Sequence, residues 1–175
     1  MIENTEGKVQ MKGLVHSVLL TIVLLAGFPL QGHAISITGK VVAVQDGDTL
    51  TVLTDAKEQN KVRLDGIDAP ESKQPFGSVS KQSLSEMTFG KIVRVEVSGK
   101  DRYQRTLGHV YAEEVWVNLE QVRKGYAWHY KKYNKDPRID DAEQMARQAK
   151  RGLWSEASPV APWEWRVRSK KKAAP

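Results

Sequence analysis

Residues 35–53 read ISITGKVVAVQDGDTLTVL. Two runs rich in β-branched residues flank Asp46-Gly47, and Asp-Gly between such runs is a strong hairpin signal. Thr49, Leu50, Thr51 and Val52 alternate polar and apolar, the period of a strand with one buried face. Downstream, Val62, Leu64 and Ile67 predict a third strand with Arg63 on its opposite face. Val93, Val95 and Val97 predict a fourth, and TLGHVYA at 106–112 a fifth. Between the third and fourth, residues 75–89 lack strand alternation and are expected to be helical, with Gly90 as the stop. After the fifth strand the period turns helical. Asn118 is expected to cap a helix through Leu119 and Val122 that stops at Gly125. Asp136-Pro137 should open another along Ile139, Ala142, Met145, Ala146 and Ala149, ended by Gly152. Five short strands with interspersed helices predict an α+β chain, a five-stranded OB-type β-barrel with about three helices. Beyond Trp154, Pro159, Pro162 and a basic run are expected to be loosely ordered.

The chain has 175 residues, room for one core rather than two, and a net charge of +6. That charge is concentrated at the C-terminus, where Arg166, Arg168, Lys170, Lys171 and Lys172 face only Glu164. The body of the chain is close to neutral, so basicity alone does not carry a function. With no cysteine, disulfides, thiolate zinc sites and cysteine nucleophiles are excluded. At the N-terminus, Lys12 precedes an apolar run that contains VLLTIVLLAGF at 18–28, followed by Gly32 and Ala34. This is the pattern of a secretory signal peptide cleaved after Ala34, with an uncleaved membrane anchor as the alternative. The expected organisation is therefore an N-terminal extension plus signal peptide at 1–34, a folded domain at 35–155, and a proline-containing basic tail at 156–175. An exported, periplasmic or secreted monomer is expected, with no stable membrane association once the signal is removed.

Three segments carry the chemistry: QDGDTL at 45–50, RLDGIDAPE at 63–71 and DRYQR at 101–105. Together they offer Asp46, Asp48, Asp65, Asp68 and Glu71, flanked by Arg63 and Arg105. Carboxylates gathered in one place repel unless a cation sits among them, and hard oxygen donors without cysteine or a neighbouring histidine select calcium or magnesium. Arginines add planar two-pronged donors for phosphate. Carboxylates, a hard cation and arginines are the ingredients of phosphodiester hydrolysis, where negative charge builds on phosphorus and a water must lose a proton. His109 and His129 have no partner at metal-ligand spacing and are expected to be barrel or surface residues. Trp116, Trp128 and Trp154 are expected to be core residues.

DGDT, RLDGIDAPE, DRYQR and GLW at 152–154, in this order, resemble the motifs of the staphylococcal nuclease (thermonuclease) family over about residues 37–155. That resemblance implies an endonuclease cutting DNA and RNA with little sequence or sugar specificity, dependent on Ca2+ and leaving 3′-phosphates. By position, it implies that Asp48, Asp68 and the Ala69 backbone carbonyl are metal ligands, supported by Asp46. Glu71 matches the general base, and Arg63 and Arg105 match the phosphate-clamping arginines. Arg102, Tyr103, Tyr130 and Tyr133 are candidate substrate contacts. Three positions depart from the family pattern. Gln104 stands where glycine is usual, which puts the aim of Arg105 in question. Ala69 replaces a threonine, and Lys131 occupies an aromatic position. The competing reading is a non-catalytic OB-type nucleic-acid-binding module, against which stands the retention of the carboxylates and both arginines.

Overall fold

Strand β1 (Ser36–Val44) turns through residues 45–48 into β2 (Thr49–Leu53), and β3 (Gln59–Leu64) runs back along it. A computed structural model describes residues 35–173 of the chain; the expected signal segment lies outside the described residues. The next strand, β4, is only Ile67–Asp68. Then come α1 (Gly77–Thr88), β5 (Ile92–Lys100), β6 (Thr106–Ala112) and β7 (Val115–Trp116). The chain finishes with α2 (Val117–Arg123), β8 (Trp128–His129), α3 (Pro137–Gln148), a 3-10 turn at Gly152–Ser155, and α4 (Pro162–Ala173).

The main sheet has the order β3-β2-β1-β5-β6-β7, and a parallel pairing of β3 with β6 closes it into a five-stranded mixed barrel. Val41, Leu50, Val52, Val62, Leu64, Val93, Val95 and Val110 fill its interior, joined by Leu84 of α1 and Val117 and Val122 of α2. Alternation put these residues inside, as the sequence predicted, except that β2 buries both faces, with Thr49 and Thr51 enclosed as well as Leu50 and Val52. A second apolar cluster gathers Trp128, Ala146, Leu153, Trp154 and Ala161, so Trp128 and Trp154 are core. Trp116 is half-buried, lying under the Arg138 guanidinium 4.5 Å from its ring centre.

Several expectations change in detail. Ile67 is not on the third strand. Asp65 and Gly66, the latter at φ +79°, turn the chain, and Ile67 begins β4, which pairs with β8. Asn118 does not cap α2, which starts two residues earlier than expected, at Val117 with Trp116 as its N-cap. Its fully buried amide instead donates to the carbonyls of Asp65 and Gly108 and accepts from the Val110 N–H. Asp136 does cap α3, accepting from the Arg138 N–H with Pro137 in the first turn. Met145, on the expected apolar period of α3, is 59% exposed. The segment beyond Trp154 is not loose, because it forms α4. Gln74 Nε2 donates to the Val160 carbonyl (2.6 Å), Ala161 is buried, and Trp163 packs on Trp128 (5.6 Å, 75°) and Tyr130 (5.2 Å, 5°). Lys170, Lys171 and Lys172 at its far end are exposed.

Candidate active site

Helix α2 lies under the loops that bear the carboxylates. Its fully buried Gln121 donates to the Gly47 carbonyl (2.8 Å), which fixes the β1–β2 turn, while Asn118 fixes the Asp65–Gly66 turn. Gly47 is required for closeness rather than for an unusual φ. A Cβ there would meet Ser80 Oγ at 1.8 Å and the Ala69 Cβ at 2.8 Å. The Asp46-Gly47-Asp48 turn is thereby pressed against both α1 and the segment after β4.

Asp48 is buried, and each of its oxygens has a partner. Oδ1 accepts from Thr49 Oγ1 (2.9 Å), and Oδ2 accepts from the Ala69 N–H (2.9 Å). Arg63, on β3, bridges the two central carboxylates. Its Nη1 lies 3.3 Å from Asp48 Oδ2 and donates to the Ile67 carbonyl at 3.0 Å, and its Nη2 donates to Asp68 Oδ1 at 2.8 Å. Asp68 is 1% exposed. Its Oδ2 accepts from Arg166 Nη2 (2.7 Å), and its Oδ1 also receives Arg166 Nη1 (3.3 Å). The same Nη1 donates to Glu71 Oε1 at 2.8 Å, so Arg166 links Glu71 to Asp68.

The electrostatics follow from burial. Removal from water, reinforced by the charge of Asp48, pushes the Asp46 carboxyl up to about 6. Burial also raises Asp68, in spite of Arg166 and Arg63. Burial works against the charge of Arg63, but Asp48, Asp68 and Asp46 together hold it above its ordinary value. For Arg166 the hydrogen bonds and charges of Asp68 and Glu71 likewise outweigh desolvation.

Arg105 approaches from the β5–β6 loop. Asp101 orients it, accepting from its backbone N–H (3.0 Å) and its Nε (2.7 Å), with Nη2 also 2.7 Å away. Arg105 Nη1 reaches Thr49 Oγ1 at 3.5 Å, and Thr49 in turn donates to Asp48. Gln104 adopts φ +63°, the left-handed conformation that a glycine would take freely. The loop holds it there. Gln104 N donates to the Asp101 carbonyl, and the Asp101 carboxylate collects the N–H of Tyr103 as well as that of Arg105.

A family model described as "Staphylococcal nuclease homologue" matches residues 61–156. The chain belongs to the staphylococcal nuclease family. It is 43% identical over 159 residues to an uncharacterized endonuclease of Haemophilus influenzae, covering 91% of this chain and 87% of the relative. An uncharacterized endonuclease of Escherichia coli is 48% identical over 133 residues, 75% of this chain and 86% of its own length. A micrococcal nuclease of Shigella flexneri is 38% identical over 167 residues, with 89% and 94% covered. The protein is thus a nuclease, a phosphodiester hydrolase whose substrate is nucleic acid.

In this staphylococcal-nuclease homologue the sequence-predicted Asp46, Asp48, Arg63, Asp68 and Glu71 converge, and Arg105 joins them through Thr49. Arg102 and Tyr103 lie at the exposed tip of the β5–β6 loop, the guanidinium stacked 4.7 Å over the ring. Tyr133 is 67% exposed and meets Tyr130 edge-on at 4.8 Å. Tyr130 is covered on its other side by Trp163. His129 is buried and engaged with Asn134 and Asp140 rather than with the site. Sequence reasoning missed Asp101 as the orienting partner of Arg105, although it opens the DRYQR segment. It also missed Arg166, which was counted only as tail charge; its spacing of three residues from Trp163 was the available signal.

The donor set suits a hard cation. Asp48, Asp68 and the Ala69 carbonyl offer only oxygen. Among the described residues no three His, Asp or Glu side chains form a ready-made cage. The protein would therefore supply few ligands and leave the remaining positions to water and substrate oxygens, a common arrangement for Ca2+ and Mg2+.

Proposed function

We propose that this nuclease is an exported, calcium-dependent enzyme that hydrolyses DNA and RNA and leaves 3′-phosphate ends. The observation that carries the reading is the pair of buried carboxylates, Asp48 and Asp68, held side by side by one guanidinium. Asp48, Asp68 and the Ala69 carbonyl would hold Ca2+, with Asp46 in support. When bound, the cation supplies positive charge against the negative charge that develops on the phosphate oxygens. Glu71 accepts a proton from the attacking water as its oxygen bonds to phosphorus. The bond from phosphorus to the 5′ oxygen breaks, and that oxygen takes a proton from solvent. Arg105, held in aim by Asp101, grips the phosphate. Arg63 keeps the two aspartates together and lends its charge to the same group. Contacts of this kind are to phosphate and not to base edges or the 2′-hydroxyl, which supports activity on both nucleic acids. Tyr133, with its exposed face, is placed in this reading to stack on a base, with Arg102 and Tyr103 along the strand.

The test is cleavage of matched DNA and RNA oligonucleotides with calcium, magnesium or chelator, with the product ends identified by mass spectrometry. Calcium-dependent cutting of both, leaving 3′-phosphates, is expected. Cutting unaffected by chelator would overturn the metal assignment. Export rests on the apolar segment before Ala34. N-terminal sequencing of the mature protein should begin at Ile35, and a membrane-bound form that keeps residues 14–30 would overturn that part.

A further inference from the structure

Arg166 comes from the last helix of the described chain yet sits on two of the carboxylates the reaction needs. Its placement is not incidental. The first turn of α4 is fixed by buried Ala161, by the Gln74–Val160 hydrogen bond and by Trp163 stacked on Tyr130. Trp165 lines a small cleft with Pro70, Gln74 and Pro75, flanking the segment that bears Glu71. One helical turn after Trp163, the helix delivers the Arg166 guanidinium to Asp68 and Glu71.

The two arginines on Asp68 are not equivalent. Arg63 has a side chain 13% exposed and is tied to the Ile67 carbonyl as well as to both aspartates. Arg166 has a side chain 39% exposed, and its partners in the site are Asp68 and Glu71. Arg166 thus has solvent beside it, whereas Arg63 is enclosed. Arg166 Nη2 also holds Asp68 Oδ2, the oxygen that Arg63 leaves alone. Oδ1 already receives both arginines, so a cation that ligates Asp68 must approach Oδ2, where the Arg166 guanidinium is the donor present. Cation and Arg166, both positive, therefore compete for the same oxygen.

We infer that Arg166 is an internal counter-cation of the active site, a residue that neutralises Asp68 and Glu71 in the metal-free enzyme and must leave Asp68 for calcium to bind. This rests on the calcium reading above. It makes the C-terminal helix part of the active site and gives Arg166 control of the calcium concentration at which the enzyme loads. Displacement also releases Glu71 from a competing donor, so that loading the cation and freeing the proposed base are one event.

The test measures calcium binding calorimetrically on the full chain, without substrate. Arg166→Met should bind calcium at least about tenfold more tightly than wild type, the scale set by losing a competing two-pronged charge-assisted contact. Arg168→Met removes the same charge from the same helix but from a side chain paired with Glu164, and it corrects for long-range electrostatics. Arg166→Lys, with one compact ammonium for two acceptors, should fall between. In parallel, the Arg166 Nη–H NMR signals, assigned by their loss in Arg166→Met, should shift to those of a solvated arginine on saturation with calcium, while the Arg63 Nη–H signals stay bonded. An Arg166→Met affinity no tighter than that of Arg168→Met, or Arg166 signals unmoved by calcium, would overturn the inference while leaving the calcium site intact. Absence of calcium binding in wild type and all variants would overturn both.

Discussion

Replacing Arg63 by glutamine takes away the one group that touches Asp48, Asp68 and the Ile67 carbonyl together, at 3.3, 2.8 and 3.0 Å. Removing one partner from a buried ion pair destabilises a protein by about 3–5 kcal/mol, because the remaining charge is left in a poor medium. Asp68 keeps Arg166 in the metal-free protein, which places the loss at the lower end, about 3 kcal/mol. For a domain of this size each kcal/mol moves the melting temperature by roughly 3–4 °C, so Arg63→Gln should melt about 10 °C below wild type in chelator. Calcium should then recover most of the deficit. At about a hundred times its Kd a ligand adds roughly 2.7 kcal/mol, and in this variant it takes over the task of neutralising the two aspartates. Arg63→Lys should lose about half as much, because one ammonium cannot span the same acceptors in a plane. Thermal unfolding followed by circular dichroism, with and without calcium, is the assay. A chelated Arg63→Gln protein that melts within about 2 °C of wild type would show that the aspartates do not depend on Arg63 and would remove the basis of the argument.

Three other variants probe the neighbouring parts. Glu71→Gln should slow single-turnover cleavage by roughly 10²–10⁴-fold while binding a non-cleavable oligonucleotide as wild type does; parallel loss of binding would make Glu71 a ligand or structural residue instead. Gln104→Gly should relieve a left-handed residue worth about 1–2 kcal/mol, partly offset by roughly 0.5–1 kcal/mol of extra chain entropy. Its melting temperature should rise by about 2–4 °C with the cleavage rate kept within about twofold, since Asp101 already aims Arg105; a large fall in rate would give the glutamine side chain a role of its own. Asp46, raised to about 6, binds its proton more tightly folded than unfolded, so the stability it contributes is present below its unfolded value of 3.8 and is lost as pH rises through about 6. In chelator, Asp46→Asn should flatten that decline in a pH series of urea melts; a wild-type slope in the variant would refute it.

Most barrel strands, though not β2, which buries Thr49 and Thr51 as well as Leu50 and Val52, were legible because they bury one face, and period-two alternation is a local property. The β1–β2 hairpin was legible for the same reason, although Gly47 serves to let Ser80 close in rather than to make the turn. The parallel pairing of β3 with β6 has no local signature, since it depends on the curvature of the strands between them. Asn118 looked like a cap because asparagine often is one. Only the closed barrel brings the Asp65 and Gly108 carbonyls to its amide. The C-terminal helix was hidden by its composition. Prolines followed by lysines read as a loose tail, and what orders it is packing of Trp163 and Ala161 on residues far back in the chain. The carboxylates and two arginines of the site were visible as residue types in three short segments. Arg166 was not, because it meets Asp68 across 98 positions of sequence.

That parallel pairing has a consequence for the cell that makes this protein. Val62 meets Thr106 and Leu64 meets Gly108 only once β5 and β6 exist and have folded back across the barrel, and Arg105 comes to Thr49 and Asp48 with them. A growing or unfolded chain carries the aspartates of residues 46–68 on one stretch and Arg105 on another, with nothing to join them. Long-range pairings of this kind form late, after their loop-closure entropy has been met. On the proposed activity toward RNA, a nascent chain would carry the aspartates and Arg105 apart until the last strand of the barrel takes its place.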